Sequence, residues 1–577
     1  MTSAREQFPR GLLRQELFLG VVSSVSATQA RLNLSAAEHP SGSHFESGRY
    51  GRGEVGELVL IEGQVDLVLG RVVDVRVGDP ERWDIGKTSA VSKEVSGFVQ
   101  FLGSVRPDTL HVTAGVTHYP RLGDRVYAAP HAFVGKIPHF MEKPEDGTAP
   151  IQLCIGAVSG RADARVLVRP EKLFGRHCAV LGATGGGKSW TVSRLLEECI
   201  AHNAKVVLLD PTSEYRGQTG QLVAHCHMGA PVDRASGSKD VSLPPSDFTE
   251  SDFIALFEPS GKVQGPKLRE AIRSLRLAGL EPSLAEDGVI KKCGKAKKPI
   301  EDKFKKHSPK LEEPSARFDA SKLAKQLMEE CIFPDGGSKQ NPDPTQYGGY
   351  SDSDKTYCLP LATRIYAIVH SDAFAPIFQS DAATPLRTEF ERFLASEQRL
   401  FRLCVGGVSY EYRAREFIAN AIGRMLLTKA RSGTFRDQPV IAVVDEAHNF
   451  LGRHVGSEDS MIRLDAFEII AREGRKYGLN LCLATQRPRD LTEGVLSQIG
   501  TLIVHRLTND RDREVVEKAC GEIDRSATAF LANLKPGEAA IVGADFPIPM
   551  TVQISAPTRK PFSDGPNYQM AWRTEPH

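Results

Sequence analysis

The stretch Gly182-Ala-Thr-Gly-Gly-Gly-Lys188-Ser189 constrains this chain more than any other. Apolar Cys178 to Leu181 precedes it and reads as a buried strand. Trp190 to Ile200 follows, with Val192, Leu195, Leu196 and Cys199 at helical spacing. Strand, glycine loop and helix in that order match G-x-x-x-x-G-K-[ST], the phosphate-binding P-loop. Glycines let backbone N–H groups converge on phosphate oxygens without interference from Cβ, and the helix N-terminus adds partial positive charge. Lys188 is expected to reach the β- and γ-phosphates of ATP, and the Ser189 hydroxyl to ligate Mg²⁺. Gly182, Ala183, Thr184, Gly185, Gly186, Gly187 and Trp190 complete the expected nucleotide-binding stretch.

A phosphate cradle needs an acidic partner, and Val440-Ile-Ala-Val-Val-Asp445-Glu446-Ala-His448 supplies one. It is an apolar strand ending in adjacent carboxylates, the Walker B pattern with an added glutamate. Asp445 is expected to hold Mg²⁺, and Glu446 to orient and deprotonate the attacking water. Lys205-Val-Val-Leu-Leu-Asp210 also ends on an acid, but Pro211 follows, and Asp445 is the better metal candidate. Residues 465–477 read as a helix stopped at Gly478. Leu479 to Thr485 is a further strand, and Gln486 at its end is placed to sense the γ-phosphate.

At 577 residues the chain has room for several domains. Its 73 basic and 72 acidic residues leave a net charge of +1, so no whole-chain bias marks a nucleic-acid partner. A ring with a basic pore and a mixed exterior would show the same balance. Ten cysteines stand singly with no C-x-x-C, which argues against a zinc site or disulfide scaffold. His225-Cys226-His227 reads as strand-to-loop sequence. No run approaches the roughly 18 apolar residues of a membrane span, and a cytoplasmic, soluble protein is expected.

Residues 17–25, 57–61, 65–77, 97–102, 110–116 and 124–129 are short runs rich in Val, Leu and Phe between turn signals, which predict a small barrel or sandwich. Phe253, Leu256, Leu268, Ile272 and Leu275 have helical spacing. A lysine-rich tract from Lys291 to Lys310 then reads as a solvated linker, with a nucleic-acid contact as the alternative. A second helical piece (320–331) precedes a Gly/Asp/Ser/Pro loop over 334–354, and 415–431 is a strong helix.

Ala471-Arg472-Glu473-Gly474-Arg475-Lys476-Tyr477-Gly478, Ala484-Thr-Gln-Arg-Pro488, Leu496-Ser-Gln498 and Arg506-Leu-Thr-Asn509 together resemble the HerA family of hexameric DNA translocases and helicases, relatives of FtsK among the RecA-like ATPases. The resemblance implies an α/β RecA-like P-loop ATPase core with an N-terminal HAS-barrel-like β-barrel and a helical insertion. The expected partition is a barrel over 1–145, core over 146–243, insertion over 244–357, core over 358–555 and a tail over 556–577. It further implies a homohexamer around double-stranded DNA, with a nuclease, a sirtuin-like enzyme or another effector as partner, in DNA repair or antiviral defence. Arg475, Arg472 and Arg176 are the candidates for an arginine finger acting on a neighbour's nucleotide. Arg453 and His454, in the loop after Walker B, are the expected DNA contacts. A protein-moving secretion-type ATPase and an ATP-regulated scaffold for an effector are the rival readings.

Overall fold

The computed structural model describes residues 11–34, 43–45, 48–77, 95–142, 150–230, 235–313, 316–338, 340–379, 383–451, 454–455, 462–520, 530–563 and 568–572. The chain divides into two compact units. The first comprises Met1–His202, Ala484–Arg489 and Leu496–Thr558, and the second Asn203–Leu483, Asp490–Val495 and Arg559–His577.

In the first unit, a closed antiparallel barrel runs Phe18–Val25, Arg125–Ala128, Leu58–Ile61, Leu67–Val77, Val95–Val105 and Gln29–Asn33, which pairs back to the first strand. Gln29–Asn33 is the strand that the apolar runs did not predict. Only Ala30 and Leu32 face inward, while Gln29 and Arg31 point to solvent, so its signal is two apolar residues long. Those two residues nevertheless close the ring and join Leu19, Val59, Ile61, Val68, Val72, Val99 and Val126 in one buried core. Burying a Val or Leu side chain stabilises by about 1.5–3 kcal/mol.

The same unit holds a sheet ordered Arg165–Val168, Leu153–Val158, Phe546–Ile554, Glu538–Gly543, Thr501–Val504, Cys178–Leu181, antiparallel except for its last pair. The helix Lys188–Ala201 packs on it through Val192, Leu195, Leu196 and Cys199. Arg194 donates to the Cys154 carbonyl at 3.0 Å, and Glu198 accepts the Cys154 N–H at 2.8 Å. Buried Arg71 of the barrel donates to the Pro549 carbonyl and lies over the Phe530 ring.

The second unit is built on parallel strands ordered Leu479–Thr485 (through Leu483), Val440–Val444, Lys205–Asp210, Leu400–Gly407, Val223–Gly229, Lys239–Ser242 and Thr384–Pro385. The central strands Val440–Val444 and Lys205–Asp210 are near-continuous apolar runs buried along their whole length, as a sheet covered on both faces requires. Helices Ala414–Arg431 and Ala466–Glu473 pack together on this unit. The first begins one residue before the predicted start. The second passes into a 3₁₀ turn, Gly474–Tyr477, that ends at left-handed Gly478 (φ 76°).

The insertion departs from expectation in two places. The lysine tract is not a linker: Lys297–Leu311 is a helix, and its acids come from elsewhere in the sequence. Lys292 pairs with buried Glu330 at 2.6 Å, Lys295 with Glu286, Lys297 with Asp335, and Lys303 with Glu281 at 2.9 Å. Hydrogen bonds from Lys303 and His307 pull the Glu281 carboxyl down to about 2. The expected loop over 334–354 contains a two-stranded hairpin, Gly336–Ser338 with Asn341–Asp343. The helix Asp352–Val369 then runs through position 357. His225, Cys226 and His227 lie within the strand Val223–Gly229, and all ten cysteines are free thiols. Among the described residues no helix is long and apolar enough to cross a membrane.

Candidate nucleotide site

The strand Cys178–Leu181 delivers the glycine loop at its carboxyl end. The Gly182 N–H donates to the Thr485 carbonyl (3.3 Å) and the Ala183 N–H to the Arg506 carbonyl (3.2 Å), which pins the loop's first turn. Gly187 has φ 113°, a conformation L side chains rarely adopt, and it starts the helix with no side chain capping the first turn. The N-terminus of this 14-residue helix carries the positive end of the helix dipole, which favours an anion. Thr184 and Gly185 are exposed at the rim, and a Cβ on Gly185 would meet open space. Lys188 is buried, Ser189 half-buried and Trp190 exposed. This is a cradle shaped for phosphates.

Gln486 belongs to the same unit as the loop. Its Oε1 accepts the Thr184 hydroxyl at 2.5 Å, so the residue expected to sense the γ-phosphate is held at the cradle's rim. A residue outside the expected set lies under the loop. His505 is fully buried directly after the strand Thr501–Val504, and only a lone histidine closing an apolar run marks it in the sequence.

In the second unit the strand Val440–Val444 ends in Asp445, whose N–H donates to the Leu209 carbonyl (3.2 Å) and which is wholly buried. Glu446 takes a left-handed φ of 46° and is 7% exposed. Such a conformation costs on the order of 1–3 kcal/mol in a non-glycine residue and clusters at functional sites. His448 Nδ1 stands 3.3 Å from the Glu446 carboxylate.

Asp210 resolves differently. Arg402 Nε donates to it at 2.8 Å, and the N–H groups of Thr212, Glu214 and Tyr215 donate to its two oxygens. Arg402 also reaches the Ser213 hydroxyl at 3.1 Å. Both members of the pair are buried, and the bonds tie the strand end to the turn that follows it.

Arg472 and Arg475 are exposed, the first on the helix Ala466–Glu473 and the second on the following turn. Arg176 is half-exposed and pairs with Asp545 of its own chain at 3.4 Å. Arg453 lies outside the described residues. His454 begins a two-residue strand paired with Ile462–Arg463.

A family model described as "Helicase HerA, central domain" matches residues 153–331. The probable DNA double-strand break repair helicase HerA of Methanocaldococcus jannaschii is 27% identical over 422 residues, 70% of this chain and 76% of its own. The DNA double-strand break repair helicase HerA of Pyrococcus furiosus is 40% identical over 116 residues, 20% of each chain. Among solved structures, VirB4 of Thermoanaerobacter pseudethanolicus superposes with a TM-score of 0.43 at 15% identity, covering 74% of this chain and 100% of its own. At that score the likeness carries no functional weight.

Proposed function

We propose that the chain is a P-loop ATP hydrolase of the HerA family and that it is an ATP-driven translocase or helicase acting on double-stranded DNA as a homohexameric ring. The observation that carries this reading is the uncapped glycine cradle of Gly182–Ser189 in a chain that also ends an apolar strand in Asp445-Glu446. The relatives' own designation as DNA double-strand break repair helicases supports the substrate.

Each residue has a chemical task. The backbone of 183–188 and the Lys188 ammonium bind and orient the phosphates, which fixes the reacting bond. The Ser189 hydroxyl of the first unit and the Asp445 carboxylate of the second are each hard oxygen donors of the kind Mg²⁺ takes. Mg²⁺, when bound with the nucleotide, would supply charge neutralisation at the phosphate oxygens. Glu446 orients the attacking water and accepts its proton, a task worth about 10²–10⁴ in rate. Gln486, held by Thr184, reports the state of the γ-phosphate to its own strand. Arg475 is the arginine we place against a neighbour's nucleotide, ahead of Arg472, because both are exposed, whereas Arg176 already pairs with Asp545. Arg453 and His454 are assigned to the DNA backbone. A nuclease or another effector docked on the barrel completes the proposal, since the motifs assigned in this chain are those of a motor.

The test is the ATPase rate of the purified chain with and without linear duplex DNA, beside Lys188→Ala and Glu446→Gln. Stimulation by duplex, lost in both variants, is the expected result. Hydrolysis indifferent to DNA would overturn the translocase reading.

A further inference from the structure

The glycines of the phosphate loop are wrapped around one side chain. A Cβ on Gly182 would stand 2.6 Å from His505 Cβ, and one on Gly187 would stand 3.1 Å from His505 Cε1. At Gly186 the distance to His505 Cβ would be 3.4 Å. The backbone closes the same wrap. His505 N–H donates to the Leu181 carbonyl (2.7 Å), and the Gly537 N–H donates to the Gly186 carbonyl (3.2 Å). Glycine at these positions therefore serves two surfaces: the phosphates outside and an imidazole inside.

The imidazole makes two bonds. Its Nδ1 lies 2.8 Å from the Glu538 carbonyl oxygen, and its Nε2 lies 2.7 Å from the Thr191 hydroxyl. A carbonyl oxygen only accepts, so Nδ1 carries the proton and Nε2 receives the Thr191 O–H. Burial pushes His505 down to about 4, so the ring is neutral near pH 7 and this tautomer persists. Thr191 sits in the first turn of the helix Lys188–Ala201, the turn that follows directly on the glycine loop.

We propose that His505 is the positioning residue of the nucleotide cradle: its ring moulds the glycine loop, and its bond to Thr191 fixes the helix N-terminus against the strand Glu538–Gly543. The inference rests on reading Gly182–Ser189 as the phosphate site. His505 touches no nucleotide; it sets where the loop's N–H groups point. The affinity at stake is that for the phosphate chain, shared by ADP and ATP.

The experiment measures equilibrium binding of ADP and ATP to the full-length chain, together with KM, kcat and the nucleotide-free melting temperature. Thr191→Val keeps the side chain's shape and removes only the hydroxyl. His505→Asn keeps a donor near Nδ1 for the Glu538 carbonyl and removes the acceptor that Thr191 uses. Both cut the same bond from opposite ends, so each is expected to weaken ADP and ATP binding by about tenfold, the scale of one buried hydrogen bond lost. KM rises with it, kcat stays near wild type, and the double variant is no worse than either single one. Wild-type affinity in both folded variants would overturn the proposal, as would a loss seen only in the melting temperature. If the wild-type chain itself fails to bind nucleotide, the reading of the phosphate site falls first, which is a separate result.

Discussion

Asp210 and Asp445 close neighbouring strands of one parallel sheet, and both are wholly buried. Each looks, in sequence, like an acidic strand end of the kind that holds a metal. Asp210 spends its oxygens on Arg402 and on three N–H groups of the turn that follows, Thr212, Glu214 and Tyr215. Asp445 is followed instead by a second carboxylate, Glu446, held in a left-handed conformation beside His448. On the function proposed above, what surrounds the carboxylate, not its place at a strand end, distinguishes Asp210 as a structural joint from Asp445 as a metal ligand. A buried ion pair contributes little net stability, yet removing one partner leaves an uncompensated charge.

That contrast can be broken or sharpened by substitution. The largest effect is expected at Arg475, where loss of a trans finger costs about 10³–10⁵ in hydrolysis. Mixing Arg475→Ala with Glu446→Gln subunits is expected to restore part of the rate, because some neighbouring pairs regain one complete set. No recovery would remove Arg475 from the trans role. Glu446→Gln comes next, lowering hydrolysis by about 10²–10⁴ while nucleotide binding persists; a variant that also loses binding would show that the carboxylate is structural, like Asp210. Asp210→Asn is expected to act on stability alone, by about 3–5 kcal/mol for one broken buried pair, read from denaturant unfolding. An altered KM for ATP in the folded fraction would erase the distinction between the two aspartates. Arg176→Ala should change stability by no more than about 1 kcal/mol, the value of a half-exposed pair, with hydrolysis intact. A large loss of rate there would move the finger to Arg176.

The sequence was legible where one stretch carries its own pattern. The glycine loop, the apolar strands at Cys178 and Val440, and the helix ending before Gly478 each show their period or their special residue locally. It was silent where the partner is remote. The lysines of 291–310 read as a solvated run because Glu281, Glu286, Glu330 and Asp335, which bind them, lie on either side of the run or in later segments. The barrel's closing strand shows only Ala30 and Leu32 as apolar, too few to reveal a period of two. His505 carries no motif at all. Its meaning comes from Gly182, Gly186 and Gly187, whose missing side chains make room for it.

The central claim is that hydrolysis at this site moves duplex DNA, and displacement of streptavidin from the end of a biotinylated linear duplex measures that directly. The wild-type chain with ATP should clear the streptavidin, and Glu446→Gln should hold nucleotide and duplex yet leave it in place. A wild-type chain that hydrolyses ATP in the presence of DNA but never displaces the block would contradict the account.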